Sequence, residues 1–221
     1  MKSGISPIRV ILSEIRLSAE RQNSRIFAYQ NSKNMKQTLL TIFSLLIMNT
    51  ISAQNKTLVA YFSHTGENYG VGYIEKGNTA IVAEEIQKFT GADLFEIETV
   101  RTYSDNYKTC CDEAKEELQK QARPELKQNV KDMSQYDVVY LGWPCWWGTY
   151  PMAVATFIEL NDNLKGKTIV PFTTHEGSGF GSSLRDLKKA CPDATIKQGL
   201  SIQGREAKTS QQTVKNFVER Q

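Results

Sequence analysis

Short unbroken apolar runs alternate along this chain with longer stretches in which apolar residues recur every three or four positions. "KTLVAYFS" (56–63), "YDVVYLGWP" (136–144) and "KTIVPFTTH" (167–175) have the length and continuous apolar character of strands buried on both faces. "ADLFEIET" (92–99) alternates more weakly and reads as a flank strand, and "TIKQGLSI" (195–202) as a fifth strand. Between them, "NTAIVAEEIQKFTG" (78–91) carries Ile81, Val82, Ile86 and Phe89 at helical spacing, with Gly91 as its stop. Residues 105–126 are charged and helical in character up to the interruption at Pro124. "MAVATFIELN" (152–161), "SSLRDLKKAC" (182–191) and "SQQTVKNFVERQ" (210–221) complete the helices.

Strands that alternate with helices join through right-handed crossovers into a parallel sheet covered on both faces. The pattern predicts three layers around five parallel strands. Ligands of such sheets sit beyond the carboxyl ends of the strands, where the winding reverses. The segments following Ser63, Leu141 and Thr174 are all unusual in composition, and all should emerge on that one edge.

The first stretch of chain departs from this pattern. "MKQTLLTIFSLLIMNTISAQ", from Met35, places Lys36 before an apolar run from Leu39 to Met48 and the small residues Ser52 and Ala53 before Gln54. Basic, apolar and small segments in that order predict a secretory signal peptide over 35–53, preceded by an extension over 1–34, with the folded domain spanning 54–221. The apolar run is short for a membrane span, so no stable membrane anchor is expected; the mature protein should be exported, to the periplasm.

The leader changes the charge picture. Of the chain's 27 Lys+Arg and 24 Asp+Glu, residues 1–53 hold seven and two, which leaves 20 basic and 22 acidic residues in the domain, a formal charge of −2. Nothing in that balance points to a nucleic-acid partner. Cys110, Cys111, Cys145 and Cys191 match no zinc spacing, and adjacent cysteines bridge poorly, so neither a structural metal nor a disulfide framework is expected.

The three loops carry the candidate chemistry. "SHTG" (63–66) and "GNT" (77–79) bring hydroxyls at Ser63, Thr65 and Thr79 to the start of a helix, where free backbone N–H groups can receive a phosphate without Lys or Arg; Asn78 or Thr79 could instead simply cap the helix. "GWPCWWGTYP" (142–151) spends three tryptophans on a segment that its glycines and prolines keep irregular. Trp146 and Trp147 could lid the core, or wall a ligand. "THEGSGFGSS" (174–183) alternates Gly177, Gly179 and Gly181, leaving amides that can approach the edge of a planar ring. A flat, mostly apolar cofactor with a polar rim and one phosphate tail would satisfy all three, and flavin mononucleotide (FMN) has that shape.

From Lys56 to the C-terminus the chain resembles the flavodoxin family, in its branch with a WWG loop. The resemblance rests on S-x-T-G and N-T at Ser63, Thr65, Gly66, Asn78 and Thr79, on P-x-W-W-G at Pro144, Trp146, Trp147 and Gly148, and on G-S-G-x-G over Gly177, Ser178, Gly179 and Gly181. It implies a three-layer flavodoxin-like sandwich with strand order 2-1-3-4-5 and bound FMN used for electron transfer. His64, Cys145, Thr174 and His175 fall within the same loops and join the expected cofactor-binding set. The Trp146–Gly148 backbone is then expected beside the flavin N5 atom, with Gly148 free to reorient its peptide, and the Gly177–Gly179 amides at the pyrimidine end.

Two departures stand out. Eleven residues, "ENYGVGYIEKG" (67–77), separate Gly66 from Asn78; they form either a solvated flap or a roof in which Tyr69 and Tyr73 cover the flavin or a substrate. Cys145 stands where an apolar residue is usual, either as a small buried hydrophobe or as a redox partner of the flavin. His64 and His175 could relay protons, pair with phosphate, or only satisfy hydrogen bonds.

The functions left open are electron shuttling to a redox partner protein, reduction of a small-molecule acceptor such as a quinone, and a non-redox module for another phosphate-bearing ligand. A hydrolase built on Cys145 or Ser63 with His175 lacks a nucleophile elbow and a third group.

Overall fold

The computed structural model describes residues 56–221, together with the isolated helical positions Arg21, Gln22 and Gln30. The leader expected over 35–53 lies outside the described residues. The central sheet is built from β1 (Lys56–Tyr61), β4 (Asp93–Glu96), β5 (Tyr136–Pro144), β6 (Thr168–His175), β7 (Thr195–Ile196) and β8 (Leu200–Gln203). All pairings within it are parallel, in the order β4-β1-β5-β6, with β7 and β8 both on the outer side of β6. Helices α1 (Asn78–Thr90) and α5 (Gln211–Val218) cover one face; α2 (Tyr107–Lys120), α3 (Met152–Leu160) and α4 (Ser183–Ala190) belong to the other.

This is the expected 2-1-3-4-5 order with its fifth strand broken in two. Ile169 of β6 faces Ile196 and Phe172 faces Leu200, so two residues of β6 oppose three of the outer strand. Lys197 N–H still donates to Ile169 O at 2.8 Å. Pro171 then has no N–H to give, and the extra residue is absorbed as a bulge at the sheet edge.

Both faces of the sheet are dry. Val59, Tyr61, Tyr140, Val170 and Phe172 pack against Val82 and Ile86 of α1 and Val214 and Phe217 of α5. Leu58, Ala60, Val139, Leu141 and Ile169 pack against Phe157 and Ile158 of α3 and Leu187 of α4. This two-sided burial is why the strands read as continuous apolar runs. Helix α1 stops where expected, at Gly91 in the left-handed region, whose N–H donates to Gln87 O at 2.8 Å. Helix α2 ends at Gln121, before Pro124 can interrupt it.

The insertion over 67–77 belongs to a small antiparallel hairpin, β2 (Gly66–Asn68) and β3 (Gly72–Ile74), separate from the main sheet. The carboxyl ends of the main strands are level: Tyr61 pairs with Gly142 and Glu96, Pro144 with Thr174, and His175 with Gln203. The loops after β1, β5 and β6 therefore leave from one edge, as the alternation requires.

Gly142 fixes how tightly β5 and β6 can approach beneath that edge. A Cβ there would lie 2.0 Å from Phe172 Cζ, inside a ring with no exposed surface. Gly142→Ala is expected to destabilise the domain by about 1–3 kcal/mol through overpacking, measured as a lower midpoint in urea unfolding; an unchanged midpoint would mean that the core yields at this point.

Candidate functional site

The first loop is locked to the start of α1. Ala80 N–H donates to Ser63 Oγ at 3.1 Å, so the helix is capped by the preceding loop rather than by Asn78 or Thr79. The N-cap position is Gly77, and its side chain is absent for steric reasons: a Cβ would sit 2.1 Å from Ser63 Oγ and 2.6 Å from His64 O. Among the described residues the Asn78 and Thr79 backbone N–H groups donate no hydrogen bond, and no acidic side chain occupies the first turn, which leaves donors and the positive end of a thirteen-residue helix facing this loop. The Thr79 hydroxyl lies elsewhere than expected. It meets Thr174 Oγ1 at 2.7 Å, with both residues buried, and ties α1 to the end of β6.

The second loop gives its three tryptophans three different roles. Trp143 is core, with no exposed surface, edge-on to Tyr150 and Phe180. Trp146 packs edge-on against Phe62, His64 and Tyr103 at centroid distances of 5.3, 5.6 and 5.1 Å, and so forms the floor between the first and second loops. Trp147 is 52% exposed; its indole N–H donates to Cys111 O of α2 at 2.9 Å, and the Lys115 ammonium lies 5.1 Å from its ring.

Trp147 and Gly148, with φ of 51° and 78°, are the two left-handed centres of a tight turn closed by reciprocal Trp146–Thr149 bonds of 2.9 and 3.0 Å. Gly148 O is held by Ser182 N–H and Oγ at 2.6 and 3.1 Å. The mobility expected at Gly148 is thus confined to the peptide before it, since the Trp147 carbonyl and Gly148 N–H enter no hydrogen bond among the described residues.

The third loop is clamped to the second at Gly181, where a Cβ would be 2.3 Å from Gly148 O. Its amides differ from expectation at one point. Gly177 N–H is turned inward and donates to His175 Nδ1 at 2.9 Å, whereas the Ser178 and Gly179 amides are unpaired. Because Nδ1 accepts, neutral His175 carries its proton on Nε2. Burial pushes its pKa below the ordinary 6.5, against Glu176 and Glu206, which pull it upward.

These loops open onto a cavity of about 530 Å³ at the carboxyl edge. Of the residues expected there, His64 and Asn78 line it from the first loop, Pro144, Cys145, Trp146 and Trp147 from the second, and Thr174, His175 and Ser178 from the third. Ser63, Thr65, Gly66, Thr79, Gly148, Gly177 and Gly179 place no side chain on its lining, and Thr65 and Gly177 are exposed to solvent. Cys145 is partly exposed rather than buried as a small hydrophobe, and its N–H extends the β5–β6 ladder to Thr174 O at 2.8 Å. All four cysteines are free.

Sequence reasoning missed the part of the outer wall built by α2, and of the two hairpin tyrosines it offered as a roof only Tyr69 lines the cavity. Tyr107, Lys108, Cys110, Cys111, Asp112 and Ala114 of α2 line the cavity, with Glu67, Asn68 and Tyr69 of the hairpin and Glu176 and Gly204. The available signal was the run of small side chains at Cys110, Cys111 and Ala114 in an otherwise charged helix, which leaves room for a large ring beside it. The helix is held in place by Arg101–Glu113 at 2.7 Å, Ser104 N–H to Glu113 Oε2 at 2.9 Å and Tyr103 O–H to Glu117 Oε2 at 2.6 Å.

The cavity wall contains an unsatisfied polar atom. His64 Nε2 is buried and has no hydrogen-bond partner among the described residues. Burial lowers the His64 pKa below 6.5, opposed by Asp105, Glu113 and a hydrogen bond to the Ser104 backbone. An unpaired buried acceptor is costly, and a ligand that supplies a donor here removes that cost.

A family model described as Flavodoxin matches residues 56–221, and the chain belongs to the flavodoxin family. Its fold is the flavodoxin-like sandwich. A candidate flavoprotein of Bacteroides eggerthii DSM 20697 is 33% identical, with 74% of this chain and 96% of that chain covered and a TM-score of 0.59. One from Bacteroides uniformis ATCC 8492 is 28% identical, covering 75% and 98%, with a TM-score of 0.62. A flavoprotein from Lactobacillus acidophilus NCFM, solved in complex with FMN, shares the fold at 21% identity, 70% and 97% coverage and a TM-score of 0.55. No curated protein matches the chain.

The unfolded chain holds the His64 proton more tightly than the folded one, so the contribution to stability is complete above 6.5 and is lost as the pH falls from there through the lower folded value. Between about pH 7.5 and about pH 5.5 the melting temperature should therefore fall, and His64→Gln should shrink the fall. An equal fall in the variant would show that burial does not disfavour the His64 cation.

Proposed function

We propose that the domain binds FMN and serves as a flavin-dependent redox protein, passing electrons to a small-molecule acceptor such as a quinone or to a redox partner protein. The observation that carries this reading is the convergence on one cavity of a bare helix start, an aromatic floor and unpaired loop amides. Its volume lies within the range of cofactor sites, and the orphaned His64 Nε2 supplies an acceptor for a ligand rich in hydroxyl groups. The Asn78 and Thr79 amides, with the helix dipole behind them, hold the phosphate. Pro144, Trp146 and Trp147 bound the ring on one side; Ser178 and Gly179 amides and the His175 Nε2–H present donors on the other.

Bound FMN supplies the capacity to accept and release electrons singly or in pairs; the protein sets its position and the relative stability of its oxidation states. Donors at the third loop favour the reduced, more negative state, and Glu176 opposes it. The Trp147–Gly148 peptide can turn its carbonyl or its N–H toward the ring because neither is otherwise engaged, so this turn can answer a change in protonation of the ligand without breaking other bonds. The formal charge of −2 favours a small molecule over a protein partner that needs a strongly acidic face. Delivery across a membrane by the 35–53 leader belongs to the same proposal, with Gln54 as the mature N-terminus.

Purified protein should be yellow, or should become so on reconstitution with FMN. Gly77→Ala, which drives a Cβ into the first loop, should weaken FMN by about tenfold or more while affecting riboflavin, which lacks the phosphate, much less. A colourless protein that FMN cannot reconstitute would leave the non-redox binding module as the better reading. Mass spectrometry of the exported product should show an N-terminus at Gln54, and an intact Met1 would refute the leader.

A further inference from the structure

The cavity extends beyond the three loops of the flavin reading, into a compartment closed by the hairpin and the first turns of α2. The hairpin is fastened there rather than left as a solvated flap. Glu67 N–H donates to Asp105 O at 2.8 Å, and Glu67 Oε2 accepts from Asn106 Nδ2 at 3.0 Å and from Tyr107 N–H at 3.1 Å, so that its carboxylate sits at the N-terminus of α2.

This fastening sets Tyr69 beside Tyr107, with ring centroids 6.0 Å apart and a tilt of 32°. Both are open to solvent, at 66% and 42%, and Trp147 at 52% exposure is anchored to the same helix one turn on. Three large aromatic side chains thus rim one compartment while remaining wet. Exposed aromatic surface gathered in a concavity marks a place where another flat group is received. The charged groups that line it are already engaged: Glu67 is taken up by the helix start, Lys108 pairs with Asp112 at 2.8 Å and Glu176 with Arg205 at 3.6 Å, while the Lys115 ammonium lies outside, over the Trp147 ring. The compartment favours an uncharged ligand, and the Lys108 ammonium, with N–H groups beyond the one given to Asp112, offers donors to carbonyl oxygens at its edge.

We propose that Tyr69, Tyr107 and Trp147 form an acceptor subsite for a flat, uncharged, carbonyl-bearing ring of the quinone type, built by the hairpin and α2 alongside the flavin. The proposal rests on the flavin reading for the inner part of the cavity. Tyr73 provides an internal control, since it is as exposed as Tyr69 and belongs to the same hairpin but does not line the cavity.

The test is equilibrium dialysis of the oxidised protein, after incubation with FMN, against tetramethyl-1,4-benzoquinone. The fully substituted ring does not invite addition by the Cys111 and Cys145 thiols. Tyr69→Ala and Tyr107→Ala should each raise the quinone Kd by about five- to tenfold, the scale of one lost aromatic contact. Tyr69→Phe should restore affinity, Tyr73→Ala should leave it within about twofold of the parent, and FMN affinity should change by no more than about twofold throughout.

Unchanged quinone affinity in both alanine variants overturns the subsite, as does a parent protein that takes up no quinone. Parallel loss of FMN would make the tyrosines part of the cofactor's enclosure and overturns it as well. FMN titration of the parent reads the flavin proposal separately, and a parent that refuses FMN yet binds the quinone through Tyr69 and Tyr107 would sink that proposal while sustaining this one.

Discussion

The site depends on the β5–β6 ladder running past the end of its strands. Cys145 N–H still reaches Thr174 O, and three residues further on Gly148 O is gripped by Ser182 at the start of α4. Two loops that could have splayed apart are thereby held in one frame, and the Thr79–Thr174 hydroxyl pair ties the third to it. Pairing in the sheet fixes the spacing of the cavity walls before any ligand contributes, which is the condition for a pre-formed binding site.

Within that frame the polar groups divide into those used and those left over. Ser63 Oγ, Thr79 Oγ1, Gly148 O and the Gly177 amide each serve the architecture. His64 Nε2 and the backbone amides of Asn78, Thr79, Ser178 and Gly179 find no partner among the described residues. The unengaged groups identify a ligand's contacts better than motif membership does, because a hydroxyl already paired in a buried position has little left to offer.

Layers, strand order and the common edge of the three loops were all legible in the sequence, because continuous apolar runs and helical spacing are local properties with few topological solutions. The break in the outer strand was not, although Pro171 and Gly199 carried the hint: it depends on which residue of β6 faces which residue of β7 and β8. Thr79 illustrates the same limit within the site. Its hydroxyl finds a partner 95 residues away, and no local pattern announces that choice. Of residues 105–126, read as a charged helix, Tyr107–Lys120 form one, yet the pattern of charges says which face is wet and not what the remaining face lies against. The importance of Cys111 comes from its backbone carbonyl, which every residue type possesses and no sequence displays.

The hairpin leaves the first loop at Gly66, and the chain comes back at Gly77 in contact with His64. Excursions whose two feet nearly touch carry a closure entropy that rises slowly with length, so evolution or a protein engineer could lengthen, shorten or exchange this appendage while the sheet beneath kept its register. Selectivity for what enters the outer compartment is thereby uncoupled from the integrity of the fold, and one scaffold could be retuned to new chemistry by replacing a single peripheral ribbon.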